Sequence, residues 1–234
     1  KISCHNVGMV TKRLMKLRNY PMETVNVDAH YAPFPHLIIR NFYNQEELDL
    51  IWEELNFYTK PGKLLSAKDY LGVVDYTNAK ALLLDEVYRN YEKQDGVNYR
   101  KLSNILTINR KVFDDDILGI LETLHPRCAR ASRSTWDTTK VRYYHNGEYY
   151  EPHTDISMNF LAFSYFNKEP KKYTGGELYF PEYDYEFDCA NNSIIIFPGW
   201  VQHGVKEVSI TDSDYFEGYG RYAITSFFGF GKKA

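Results

Sequence analysis

The sequence predicts a mainly β protein with flanking helices, an α+β arrangement in which amphipathic helices pack outside a sandwich or barrel. Three observations carry this. From Lys140 onward, short β-rich runs recur at 140–144, 159–166, 176–180, 185–188, 193–197, 203–208 and 221–229, separated by Gly, Pro, Asn and Asp. Before Lys140, apolar residues fall mostly at helical spacing instead. With 234 residues, 44% of them hydrophobic and 16% aromatic, the chain has ample material for a buried core. One domain is expected over 1–234, with 1–139 supplying N-terminal strands and supporting helices and 140–230 the core.

The elements follow in order. Residues 1–33 are mixed, and their basic positions Lys12, Arg13, Lys16 and Arg18 read as a solvated face. A strand is expected over 34–42, where Leu and Ile follow Pro33 and Pro35. Asn44 stands three residues before Glu47, the spacing of a capping box, and Leu48, Ile51, Trp52 and Leu55 follow at helical spacing. This gives an amphipathic helix over 45–58, ended by Lys60-Pro61-Gly62. A second helix is expected over 79–93, capped by Asn78 and burying Leu82, Leu83 and Val87. Residues 102–112 read as another strand. The acidic cluster Asp114-Asp115-Asp116 suits a helix N-terminus; that third helix turns Ile117, Ile120, Leu121 and Leu124 inward and stops before Pro126. Arg127, Arg130 and Arg133 read as a solvated connection into the β-rich part.

A net charge of −3 gives no drive toward nucleic acid or an anionic membrane, and neither is expected as a partner. No apolar run approaches membrane-spanning length, and no signal-peptide core is visible. Cys4, Cys128 and Cys189 lack metal-type spacing and are odd in number, so they read as free thiols of a reducing, cytoplasmic compartment. Oligomeric state is not legible.

The chemistry is concentrated in His153-Thr154-Asp155. An imidazole and a carboxylate two positions apart converge on one metal only where the backbone turns, as at a strand end, and Pro152 is compatible with that. Far downstream lies His203. Two histidines and one carboxylate on one face of a metal leave the other face open, the ligand set of non-haem Fe(II) oxygenases. A lone His-x-Asp is a common surface triplet, so its neighbours matter. Tyr144-x-x-Gly147-x-x-Tyr150-x-x-His153-x-Asp155, then Gly175-Gly176-Glu177-Leu178-Tyr179-Phe180-Pro181, then His203, then Arg221-Tyr222-Ala223-Ile224-Thr225 occur in one order.

That ordered set resembles the prolyl 4-hydroxylase-like branch of the 2-oxoglutarate- and Fe(II)-dependent dioxygenases, strongly over 140–230 and more loosely over 34–58. The resemblance implies a double-stranded β-helix, or jelly roll, with the helices outside its major sheet. It implies Fe(II), 2-oxoglutarate as co-substrate, O2 and ascorbate as a possible reductant. His153, Asp155 and His203 would be the metal ligands; Asp155 points to hydroxylation, because halogenating relatives replace this carboxylate with a small residue. Arg221 would anchor the far carboxylate of 2-oxoglutarate, a task that suits a planar guanidinium, with Tyr165 donating to the same group and Tyr144 lining its pocket. Tyr150, Trp200 and Tyr215 are candidate substrate contacts. Gly175 and Gly176 are expected to permit a turn.

One departure is clear. Eighteen positions separate His203 from Arg221, where the family has a short connection, so 209–220 reads as an extended hairpin loop. Its aromatics Tyr215, Phe216 and Tyr219 could close over a peptide. Lys206 is the rival anchor, but on an alternating strand it would point away from the site. The expected reaction is hydroxylation at C4 of a prolyl residue in a peptide or protein, releasing succinate and CO2. The alternatives are hydroxylation of a free amino acid or other small molecule, and a non-catalytic jelly-roll binding module.

Overall fold

Alternation along the chain's second half gives each long strand one face for the helices and one for the interior. In a computed structural model of the protein, residues 10–17, 20–71, 77–88 and 99–230 are described. The strands are β1 (Val10–Leu17), β2 (Tyr20–His30), β3 (His36–Arg40), β4 (Ala81–Leu83), β5 (Trp136–Tyr144), β6 (Tyr150–His153), β7 (Phe160–Phe166), β8 (Thr174–Gly175), β9 (Leu178–Phe180), β10 (Tyr185–Phe187), β11 (Ser193–Pro198), β12 (His203–Val205), β13 (Val208–Ser209) and β14 (Arg221–Gly229). The major sheet runs β1-β2-β3-β11-β7-β14-β5-β4 and the smaller one β10-β9-β12-β6; a two-stranded ladder joins β13 to β8. All recorded strand pairs are antiparallel. This is the two-sheet, mainly β fold with outer helices that the sequence predicts.

The two faces of the major sheet fill two cores. Phe160, Ala162, Phe166, Ile194, Ile196, Tyr222, Ile224 and Phe228 pack outward with residues of the helices. Leu161, Phe163, Tyr165, Ile195, Phe197, Ala223 and Phe227 pack inward toward Leu178, Phe180 and Val205 of the smaller sheet. A one-residue slip of any of these strands would exchange the two sets, which is why the register is strongly specified.

The first helix, α1 (Gln45–Tyr58), forms where the capping box places it: Glu47 N–H donates to Asn44 Oδ1 and Asn44 N–H to Glu47 Oε2, each at 2.9 Å. It buries Ile51, Leu55 and Tyr58 and sets Trp52 edge-on to Tyr222, ring centroids 5.0 Å apart. The helix Asp115–Leu124 also forms, with Asp114 accepting from Asp116 N–H. No described helix is long and apolar enough to cross a membrane.

Three segments differ from expectation. Residues 102–112 are not a strand: the turn Tyr99–Leu102 leads into the helix Asn104–Ile108 and a further 3-10 turn, Asn109–Phe113. Ser103 caps that helix, accepting from Leu106 N–H at 3.0 Å, and the Glu54 carboxylate of α1 accepts from Ser103 Oγ at 2.8 Å and Ile105 N–H at 2.7 Å. A long-range acceptor thus decides a segment that local pattern leaves ambiguous. The expected helix over 79–93 opens instead as β4, which pairs with Val141 and its neighbours on β5; only 84–88 is helical, and 89–93 lies outside the described residues. Asn78 caps no helix there: its amide donates to Gly147 O and accepts from Tyr149 N–H. Val10–Leu17 and Tyr20–His30 pair antiparallel as β1 and β2, strands the sequence analysis left unassigned although Val25, Val27 and Ala29 alternate with polar residues. Arg18 and Cys4 lie outside the described residues, while Cys128 and Cys189 are free, buried thiols.

Candidate metal centre and its pocket

The smaller sheet supplies one wall of the site. β6 and β12 pair so that His153 and His203 stand directly opposite each other. Asp155 follows two residues after His153, where the chain turns and Asp155 N–H donates to Gly199 O at 2.8 Å. A Cβ at Gly199 would lie 2.4 Å from Asp155 O, so only glycine lets the two backbones approach this closely. Asp155 Oδ2 sits 3.6 Å from His203 Nε2 and 3.8 Å from His153 Nε2, and one ligand atom from each of the three residues lies within 4.8 Å of the others.

Both imidazoles are held in the tautomer a metal needs. A carbonyl oxygen can only accept, so His153 Nδ1–H donates to Glu151 O at 2.9 Å and His203 Nδ1–H to Val201 O at 3.0 Å. Each Nε2 lone pair is then turned toward Asp155. Burial lowers the pKa of His153 and takes that of His203 down to about 3, favouring neutral rings, and raises that of Asp155. Asp155 Oδ2 is buried with no hydrogen-bond partner. Two neutral nitrogen donors and a carboxylate in one cluster suit a divalent transition metal such as Fe(II).

The major sheet supplies the opposite wall. On β14 and β5, Arg221 pairs with Tyr144, Ala223 with Arg142 and Thr225 with Lys140, and all six line the same pocket as the His-Asp-His cluster. Arg221 is 1% exposed. Its guanidinium lies 4.5 Å from the Tyr144 ring centre and 4.9 Å from that of Tyr165, with Nη2 3.7 Å from Cys189 Sγ. Its Nε and Nη1, and the Tyr165 hydroxyl, are buried without hydrogen-bond partners. Burial drives the Tyr165 pKa well up, which keeps it a neutral donor. A buried guanidinium beside an idle phenol is strongly disfavoured unless an anion completes it. A carboxylate is the kind of anion that this guanidinium and phenol would together complete. Gly176, at φ +74°, makes room for the arginine stem, since a Cβ there would meet Arg221 Cδ at 2.6 Å.

The sequence-predicted residues separate into two groups. His153, Asp155, His203, Arg221, Tyr165, Tyr144 and Tyr150 all line the pocket, Tyr150 with its ring stacked 4.4 Å from that of His153. Trp200 and Tyr215 do not. Trp200 turns away to pack under Arg127, 4.5 Å from the guanidinium, and beside His125. Residues 209–220 are no extended hairpin over the mouth: they continue from β13 into the helix Asp212–Phe216, capped by Thr211. Tyr215 stacks on Tyr143, centroids 4.4 Å apart, and its carbonyl accepts from the Tyr143 hydroxyl at 2.5 Å. Tyr143 faces opposite to Tyr144 on β5, so the segment docks on the outer side, beside a separate cavity of about 480 Å³. Lys206 also points away and pairs with Glu186 at 2.5 Å. Lys140 and Arg142 as pocket residues, and Cys189 as a neighbour of Arg221, were not anticipated from the sequence. The first two could have been found from their alternation with Tyr144; Cys189 offers no such signal.

Residues 139–229 match the family model described as the 2OG-Fe(II) oxygenase superfamily. No curated protein matches the chain in sequence. Among solved structures, its fold is similar to that of a Pseudomonas putida prolyl-4-hydroxylase, at 14% identity and a TM-score of 0.51, over 84% of this chain and 93% of that one. It is similar to a Burkholderia pseudomallei oxidoreductase of the 2OG-Fe(II) oxygenase family, at 15% identity and a TM-score of 0.51, over 85% and 87% of the two chains. It also resembles SnoN, a non-heme α-ketoglutarate-dependent epimerase from nogalamycin biosynthesis, at 8% identity and a TM-score of 0.51, over 83% and 78%. Proteins of different reactions share this fold, so substrate identity must be sought in the side chains.

Proposed function

We propose that the chain, whose residues 139–229 match the 2OG-Fe(II) oxygenase superfamily model, is a dioxygenase using Fe(II), 2-oxoglutarate and O2 that hydroxylates a prolyl residue. In this reading His153, Asp155 and His203 hold the iron. Arg221 and Tyr165 bind the far carboxylate of 2-oxoglutarate, and Tyr144 lines its channel. The substrate is a prolyl residue in a peptide or protein, oxidised at C4, with succinate and CO2 released. The carrying observation is the set of buried, unpartnered polar atoms at both ends of one pocket: Asp155 Oδ2 at the metal end, Tyr165 Oη and Arg221 Nε and Nη1 at the other.

The bound iron, with 2-oxoglutarate and O2, supplies the oxidising power for C–H hydroxylation. The protein's part is positional. The carbonyls of Glu151 and Val201 fix both imidazoles so that Nε2 faces the metal. The Arg221 guanidinium and the Tyr165 hydroxyl would hold the far carboxylate of the co-substrate, and the Tyr144 face covers the guanidinium. Phe163, Phe227, Val205 and Tyr150 line the remaining wall and exclude water from the reacting centre. The prolyl assignment draws on the resemblance in motif order and on the fold shared with the Pseudomonas putida prolyl-4-hydroxylase.

The test is succinate production with Fe(II) and 2-oxoglutarate across proline-containing peptides, free proline and nucleic acid. Stimulation by the peptides alone, with a hydroxylated prolyl residue in the product, is the expected result. Turnover stimulated only by free proline or by nucleic acid would overturn the prolyl-residue reading.

A further inference from the structure

We propose that Cys189 is a positioning residue for the co-substrate: its thiol holds the Arg221 guanidinium in place while leaving the cation's charge to the incoming carboxylate. This rests on the oxygenase reading and adds to it a residue on the protein side of Arg221.

The thiol is itself fixed by backbone. Leu178 and Phe187 face each other across β9 and β10, as the last pair of β10. Cys189 follows two residues later and turns its sulfur back onto that pair. Leu178 N–H donates to Sγ at 3.4 Å, and Sγ lies 3.4 Å from Phe187 O. A carbonyl oxygen only accepts, so the S–H donates to Phe187 O. The sulfur lone pairs are left for Leu178 N–H and for Arg221 Nη2, 3.7 Å away. To hold this place Cys189 takes φ +51°, a left-handed conformation uncommon for a residue with a Cβ, and it is only 3% exposed. Residues held in such sparsely populated backbone regions cluster at ligand clamps.

The neighbours of the guanidinium divide its surface between them. The rings of Tyr144 and Tyr165 lie 4.5 and 4.9 Å from it, and Gly176 leaves room for its stem. Cys189 takes Nη2, while Nε and Nη1 have no partner. Sulfur is a weak acceptor, so it directs one nitrogen without satisfying the charge. Burial pushes the thiol pKa up, against the pull of Arg221, which keeps the sulfur neutral. A carboxylate in the same place would pair with Arg221 and compete with the co-substrate for it. A side chain with no acceptor would leave the guanidinium less fixed. The thiol stands between these extremes.

The test is calorimetric titration of 2-oxoglutarate into the Fe(II)-loaded protein without O2, with urea unfolding to show that each variant is folded. Asn and Asp both tolerate a left-handed backbone and share one shape, so Cys189→Asn and Cys189→Asp differ in charge alone. Cys189→Asp is expected to weaken binding by about 100-fold or more, because the introduced carboxylate takes the buried cation. Cys189→Asn and Cys189→Ser keep a neutral acceptor and should stay within about threefold of the unaltered protein. Cys189→Ala should lose roughly fivefold in affinity, with kcat at saturating 2-oxoglutarate unchanged. A residue that only closes the end of the β9–β10 ladder would instead lower the urea midpoint of Cys189→Ala and leave its affinity alone. Affinity of Cys189→Ala equal to that of the unaltered protein, or of Cys189→Asp equal to that of Cys189→Asn, would overturn the proposal. Should Cys189→Asp not fold, the comparison of Cys189→Ala with Cys189→Ser decides, and equal affinities overturn it. No binding by the unaltered protein would sink the oxygenase reading; binding that is the same in every variant would sink this inference alone.

Discussion

The outer and inner faces of the major sheet treat polar groups in opposite ways. On the outer face, polar side chains among the strands and helices are joined to one another. The Tyr43 hydroxyl donates to Asn109 Oδ1 at 3.0 Å and contacts Ser164 Oγ at 2.8 Å; the Asn109 amide donates to Ser226 Oγ at 2.5 Å, and Ser226 meets Thr139 Oγ1 at 3.1 Å. Thr139 N–H donates to Asp85, which pairs with Arg100 at 3.0 Å. On the inner face of the same strands, Arg221 and Tyr165 keep donors with nothing to bind, across from the lone oxygen of Asp155. Buried polar atoms left open in one pocket, beside a face whose polar groups are joined in a network, mark that pocket as the candidate place for a ligand. The outer face builds the fold and the inner face binds.

This contrast can be broken by substitution. The largest expected effect is at the metal cluster: Asp155→Ala or His203→Ala should lower Fe(II) affinity more than about 100-fold and remove turnover, since even residues behind the ligands matter at that level. Metal content after dialysis checks this; retention of iron would remove the assignment. Next comes the outer core. Leu121→Ala, fully buried beneath the sheet, should cost about 2–5 kcal/mol of stability by urea unfolding while the folded enzyme keeps its KM for 2-oxoglutarate. A smaller effect is expected from Tyr165→Phe, which deletes one donor to the co-substrate and should raise that KM roughly tenfold with little loss of stability. Smallest of all, Lys206→Ala should leave the KM unchanged, because its ammonium faces Glu186 outside the pocket. A rise in KM there would return Lys206 to the role given to Arg221.

The same contrast explains what the sequence could and could not reveal. The pocket residues were legible because strand periodicity and motif order converge on them: His153, Asp155 and His203 at the smaller sheet, and Arg221, Tyr165 and Tyr144 on β14, β7 and β5, all reach one pocket. α1 was legible because its cap is local, closed between Asn44 and Glu47. Residues 102–112 were misread because their helix depends on Glu54, far away in sequence, and the opening of 79–93 because β4 borrows its hydrogen bonds from β5. Tyr215 and Trp200 failed as substrate contacts for a related reason. An aromatic side chain near a motif in sequence carries no sign of which face it will take, and both found partners outside the pocket, in Tyr143 and Arg127.

The central claim is that one dicarboxylate bridges the two walls of the inner pocket, from the His-Asp-His cluster to Arg221. Calorimetric titration of 2-oxoglutarate into the protein, without O2, tests it most directly when run with and without Fe(II) and repeated on Arg221→Ala. Tight binding is expected only to the unaltered chain with iron present. Removal of the metal should weaken it sharply, and loss of the guanidinium should cost about 3–5 kcal/mol, the scale for deleting one partner of a buried ion pair. Binding of equal strength without iron, or to Arg221→Ala, would contradict the account.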